Sequence, residues 1–161
     1  MINSAEVMSA LVDSQVKMIA DPIVRSALQS FLIPPIKQDR EWFYGAPLEK
    51  LLCWLVMEDT KSDTGIVYSE VGFGPRNPWG LVFLSKLIIA DDAGWFPTLE
   101  RAFYDSFTAS DLKIWNLIKK GDGKIPELIE ANLTLDEAYK KRDKLDIYTY
   151  FVESRVFLTS E

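Results

Sequence analysis

Met8, Leu11, Val12, Val16 and Ile19 recur at helical spacing and predict an amphipathic helix over residues 4–20, with Ser4 as its N-cap. Asp21-Pro22 then restarts the chain, an acidic cap with proline at the first helical position. The second helix carries a stripe of Val24, Leu28, Phe31 and Leu32, and Pro34-Pro35 ends it. The chain therefore opens with a helical hairpin.

The pattern changes in the middle. Glu41-Trp42-Phe43-Tyr44 is short and aromatic, and Gly45-Ala46-Pro47 breaks it. Leu51–Glu58, Gly65–Phe73 and Trp79–Leu84 are rich in strand formers. Asp59–Asp63 has the composition of a hairpin loop, and Pro75-Arg76-Asn77-Pro78 is a rigid turn. Consecutive strands on short polar loops predict an antiparallel meander. Beyond Pro97, Leu99, Ala102, Phe103 and Phe107 form a third apolar stripe at helical spacing. Lys113–Lys119 alternates as a strand, and Lys120-Gly121-Asp122-Gly123 is a turn. Ile125–Ala131 reads as a short helix or an irregular return. Thr134-Leu135-Asp136-Glu137 is a capping box, with Leu133 and Ala138 placed as its hydrophobic staple, so a helix runs from Leu135 to about Leu145. Ile147–Leu158 fits a last strand or a packed helix. With no repeat, low-complexity tract or linker, residues 1–161 read as a single α+β domain, an antiparallel meander with helices packed on one face.

Composition narrows the chemistry. The 161 residues include no histidine, which removes the commonest general base and metal ligand. One cysteine precludes an internal disulfide, and Cys53 lies in the apolar run Leu51–Met57, as a buried thiol does. That run is the longest, far short of the roughly 20 residues of a membrane helix. The N-terminus lacks a signal-peptide pattern, so a cytoplasmic location is expected. A net charge of −6 repels phosphate backbones and anionic membranes and favours basic partners. It is carried equally by residues 1–85 and 86–161, so the chain has no acidic tail.

Tyr68–Leu81 is the most distinctive segment. Its Gly72-Phe73-Gly74 is followed by two prolines and a strand, not by the helix that a phosphate cradle needs. The segment reads as a stiff loop from which Arg76 and Trp79 project as binding anchors, or as a structural turn with a core tryptophan. Glu58, Asp59, Asp63 and Glu70 supply a complementary acidic patch, and Asp91-Asp92 adds a further acidic pair. Glu58 and Glu70 are placed to meet across a hairpin, so a carboxylate-based, magnesium-dependent enzyme is the alternative. The five tryptophans are read mostly as core. Lys140-Lys141-Arg142, balanced by Asp136, Glu137, Asp143 and Asp146, reads as a solvated helix face. Ser14-Gln15-Val16-Lys17 and Ser110-Asp111-Leu112-Lys113 match the Ser-x-x-Lys spacing, but on regular elements without a glycine-shaped setting.

In size, acidity, helix–meander–helix order and the Tyr68–Leu81 pattern, the chain resembles the small immunity proteins that bacteria encode beside polymorphic or contact-dependent toxins. The resemblance implies a cytoplasmic protein that folds alone and plugs or masks the active site of its cognate toxin. The net charge favours a basic toxin domain as that partner, and no cofactor is expected. A phage or accessory structural protein is a third possibility. The residues assigned to partner binding are Glu58, Asp59, Asp63, Glu70, Arg76 and Trp79.

Overall fold

The computed structural model describes residues 2–90, 94–121 and 126–155. The fold is α+β, in two compact units, Met1–Thr108 and Ala109–Glu161. Neither a linker nor a shift in composition marks that boundary in the sequence.

In the first unit, α1 (Ala5–Met18) is capped by the Ser4 hydroxyl, which accepts from the Val7 N–H, and α2 (Pro22–Phe31) by the Asp21 carboxylate. Met8, Val12, Val16, Val24 and Leu28 are buried, as the helical stripes predicted. The chain does not stop at Pro34-Pro35. It continues directly into β1 (Leu32–Trp42), paired antiparallel with β2 (Lys50–Asp59). The prolines fall within the register shift between Leu32 and Ile36, where the ladder is interrupted and a missing N–H costs little.

The predicted meander follows as β2, β3 (Thr64–Tyr68) and β4 (Trp79–Phe83). Two-residue strands, β5 (Ile88–Ile89) and β6 (Trp95–Phe96), complete a mixed sheet ordered β5-β1-β2-β3-β4-β6. β5 runs parallel to β1. Helix α3 (Leu99–Tyr104) packs on β3 and β4, α1 on β1 and α2 on β2. A short α4 (Phe107–Ser110) follows, and the expected apolar stripe ends before it, since Phe107 is exposed.

The sheet curls strongly. Trp42 on β1 and Trp95 on β6 have three strands between them in the order, yet their ring centroids are 6.4 Å apart. Leu51, Cys53, Leu55, Val67, Val82 and Ile89 form the core inside the curl, with Ile33, Trp42, Leu84 and Trp95 against it. Gly80 makes the closure possible, because a Cβ there would lie 2.9 Å from the Trp95 indole. Gly80→Val is therefore expected to lower stability by about 1–3 kcal/mol through overpacking. An unchanged urea midpoint would show that Trp95 is free to move aside.

Arg40 also lies inside the curl, 1% exposed. Its guanidinium donates to the carbonyls of Phe83 and Lys86 (3.1 and 2.6 Å) and to the Gln38 side-chain oxygen (3.1 Å). One buried cation thus ties β1 to the end of β4. Burial pulls its pKa below the usual guanidinium value, and the neighbouring Cys53 thiol opposes that shift.

Cys53 is fully buried, as its apolar run implied. Burial pushes its pKa up to about 11, with Arg40 opposing and Asp39 adding to the rise. An acid whose folded pKa is raised stabilises the fold fully below its unfolded value and loses that contribution as pH climbs to the folded one. Between the ordinary thiol value of 9.0 and about 11, wild-type stability is expected to fall more steeply than that of Cys53→Ala. The difference in slope is at most about 1.4 kcal/mol per pH unit. Parallel alkaline stability curves for the two proteins would contradict this.

The second unit is a three-stranded antiparallel sheet, β8-β7-β9, of β7 (Trp115–Lys119), β8 (Glu127–Leu133) and β9 (Tyr150–Ser154). Helix α5 (Leu135–Asp143) begins with the predicted capping box. The Thr134 hydroxyl accepts from the Glu137 N–H, and the Glu137 carboxylate accepts from the Thr134 N–H. Ala138 packs with Leu117 and Leu133 in this unit's core. Lys140 pairs with Asp136 one turn back, while Lys141 reaches Glu130 on β8. Residues 127–131 form a strand, not the short helix or irregular return expected, and 150–154 resolve the last segment as a strand. The predicted Lys120–Gly123 turn extends beyond the described residues, as does the stretch after Arg155.

Candidate functional site

At one end of the curled sheet, β1 runs out through Trp42 into a tight turn. The Gly45 N–H donates to the Trp42 carbonyl (3.2 Å), and the Glu49 carboxylate accepts from the Ala46 N–H (2.7 Å). Consecutive side chains in extended chain point to opposite sides. With Trp42 turned to the interior, the Phe43-Tyr44 pair that follows is carried past the core. Phe43 is 60% exposed, Tyr44 45% and Leu48 89%.

The segment from Ser69 to Pro78 folds back over this turn. Ser69 anchors it, its hydroxyl donating to the Leu52 carbonyl (2.9 Å) and its N–H to the Pro78 carbonyl (2.9 Å). Gly72 and Gly74 adopt φ of 81° and 83°, the left-handed region that favours glycine. These angles present Phe73, 46% exposed, between the ring of Tyr44 (5.4 Å) and that of Trp95 (5.6 Å). Trp42 touches Tyr44 at 5.2 Å and Phe73 at 5.4 Å, and Phe43 meets Tyr44 at 5.7 Å.

Five aromatic rings are thus continuous from the core to solvent, with Leu48 and Val71 exposed on the same two loops. Edge-on and tilted contacts of this kind hold rings in place. The cluster is therefore an ordered apolar surface. The Trp95 indole N–H is buried beneath it with no hydrogen-bond partner among the described residues. With Phe43, Tyr44 and Phe73 each about half exposed, this cluster is the candidate site.

The six residues expected to bind a partner do not converge. Trp79 is 2% exposed and packs on Tyr68 at 4.9 Å, so it is a core tryptophan and not a projecting anchor. The alternation that turns Gly80 toward Trp95 turns Trp79 to the other face. Asp59 is 8% exposed and accepts from the N–H groups of Lys61 and Ser62 and the hydroxyls of Ser62 and Thr108. Burial alone would raise its pKa, but these hydrogen bonds overcome that and hold it below the usual carboxylate value. Asp63, at φ 54°, accepts from the N–H and hydroxyl of Ser85, bonds that lower its pKa. Both aspartates build the β2–β3 hairpin instead of forming an open acidic patch.

Glu58 lies opposite Gly65 in the β2–β3 ladder, whereas Glu70 lies beyond Tyr68, which pairs with Trp54. The two carboxylates are separated by roughly 17 Å along the strands, so they do not meet across the hairpin. Glu70 accepts from the Ile2 N–H (3.1 Å). Only Arg76, exposed three residues after Phe73, stays beside the aromatic surface on an open loop. Among the described residues no three histidine, cysteine or carboxylate groups gather to hold a metal ion. Asp91 and Asp92 lie outside those residues.

No family model, curated protein or solved structure matches the chain. Among the described residues no helix is long and apolar enough to cross a membrane.

Proposed function

We propose that this chain is a stoichiometric protein-binding module that docks through the aromatic end of its curled sheet, and that its biological role is to mask a toxin as an immunity-type inhibitor. The observation that carries docking is the ordered cluster of Trp42, Phe43, Tyr44, Phe73 and Trp95, with Phe43, Tyr44 and Phe73 about half exposed. Rigid aromatic anchors lose little side-chain entropy on binding and are enriched where interface energy concentrates. Arg76 on the adjoining loop supplies a hydrogen-bonding rim. The net charge of −6 favours a basic partner and speeds its approach in the cytoplasm. The inhibitory role rests on the resemblance in size, charge and element order. Asp59 and Asp63 are engaged in shaping their hairpin, which leaves the aromatic end as the better supported surface.

Tagged wild-type chain and a Phe43→Ser/Phe73→Ser variant, each recovered from native cells, give the test by native mass spectrometry. The wild type is expected to carry one partner at one-to-one stoichiometry, and the folded variant to lose it. Equal retention of that partner by both proteins would overturn the assignment. An inhibitory role further requires that the recovered partner be toxic alone and harmless when the chain is co-expressed.

A further inference from the structure

Leu48 lies in the turn that carries Phe43 and Tyr44, and its backbone stands where a leucine is disfavoured. Its φ is 68°, in the left-handed region that suits glycine and, among other residues, asparagine. A side chain packed in the core can offset such strain, but Leu48 is 89% exposed and buries almost nothing in the free chain. Glu49 holds the turn shut around it. The Glu49 N–H donates to the Ala46 carbonyl (2.9 Å), its carboxylate accepts from the Ala46 N–H (2.7 Å), and its carbonyl accepts from the Trp42 N–H (2.9 Å). Gly45 leaves room for this arrangement, since a Cβ there would meet both the Glu49 carboxylate and the Trp42 ring. Backbone strain persists where surrounding bonds over-determine it, and it concentrates where chains clamp their ligands.

We propose that Leu48 is a contact residue of the docking surface, seated in an apolar pocket of the protein partner, and that Glu49 is the positioning residue that holds it out. The inference rests on the docking reading of the aromatic end and adds to it a residue outside the ring cluster. The free chain bears the strain, and the leucine gains its burial only in the complex. Stability and affinity therefore move in opposite directions at this position. Glu49 acts through hydrogen bonds to its own turn, so an uncharged acceptor of the same length can replace it.

The test uses the full chain and the partner recovered with it from native cells. Leu48→Gly and Leu48→Asn should each unfold at a higher temperature than wild type, by about 2–4 °C, and bind the partner at least about tenfold more weakly. Glu49→Ala should weaken binding by about tenfold as the turn loses its order, and Glu49→Gln should restore it. Leu48 variants no more stable than wild type would contradict the strain, and Glu49→Gln as weak as Glu49→Ala would make Glu49 a charge contact instead of a positioning residue. If the Leu48 variants keep the partner that Phe43→Ser/Phe73→Ser loses, this inference fails and the docking reading stands. If the phenylalanine variant keeps it as well, or wild type recovers no partner, the docking reading itself fails.

Discussion

Arg40→Ala is expected to lower the unfolding free energy by about 3–5 kcal/mol, a loss that follows from breaking a buried charged network. The side chain is 1% exposed and bridges β1 to the end of β4, across the two strands that separate them in the sheet. Its removal strands the Phe83 and Lys86 carbonyls without their donor, empties the volume of a long side chain, and releases β1 from the end of β4. Arg40→Lys should recover only part of the loss, because a single ammonium cannot reproduce the planar fork that serves Gln38 and two carbonyls together. Arg40→Met keeps most of the volume and separates packing from hydrogen bonding. Urea unfolding followed by tryptophan fluorescence reads all three. A midpoint for Arg40→Ala equal to that of wild type would mean that the curl closes without this contact.

The second large effect falls on binding, not on folding. Phe43→Ser and Phe73→Ser each remove an exposed ring from the aromatic cluster, and each is expected to weaken partner affinity by about 2–4 kcal/mol, roughly 30- to 1,000-fold. Thermal stability should change less than binding does, since both side chains are about half in solvent. Glu58→Gln and Glu70→Gln should act mainly on the association rate and more weakly at high salt. Calorimetry and stopped-flow measurements with the recovered partner distinguish these effects. Larger losses from the glutamates than from the phenylalanines would move the interface away from the aromatic end.

The elements that the sequence announced are those with a local signature. Ser4, Asp21-Pro22 and the Thr134–Glu137 capping box each satisfy orphan N–H groups within a few residues, so their helices could be placed without tertiary knowledge. β1 has no such signature, because a proline pair ordinarily ends a regular element, whereas here a register shift in the ladder absorbs Pro34 and Pro35. β8 escaped because Leu128 and Ile129 are adjacent, and both remain exposed on an edge strand where strict alternation is not enforced. Of the two readings open for Trp79, the structure shows the core tryptophan: the loop before it is stiff and open, but one residue decides which face the next side chain takes.

The aromatic surface was only half legible. Phe43-Tyr44 immediately before Gly45-Ala46-Pro47 is a usable signal, because two successive aromatics leaving a strand cannot both turn inward. Phe73 between two glycines is another. What joins them to Trp42 and Trp95 is the curl of the sheet, and that depends on Gly80 and Arg40, contacts made across strands far apart in sequence.

Hydrogen–deuterium exchange of the free chain and of its complex with the recovered partner tests the docking surface most directly. Protection is expected in residues 42–49 and 71–76, with the hairpin around 58–63 unchanged. Protection confined to that hairpin, or to the β8 edge, would contradict an aromatic interface.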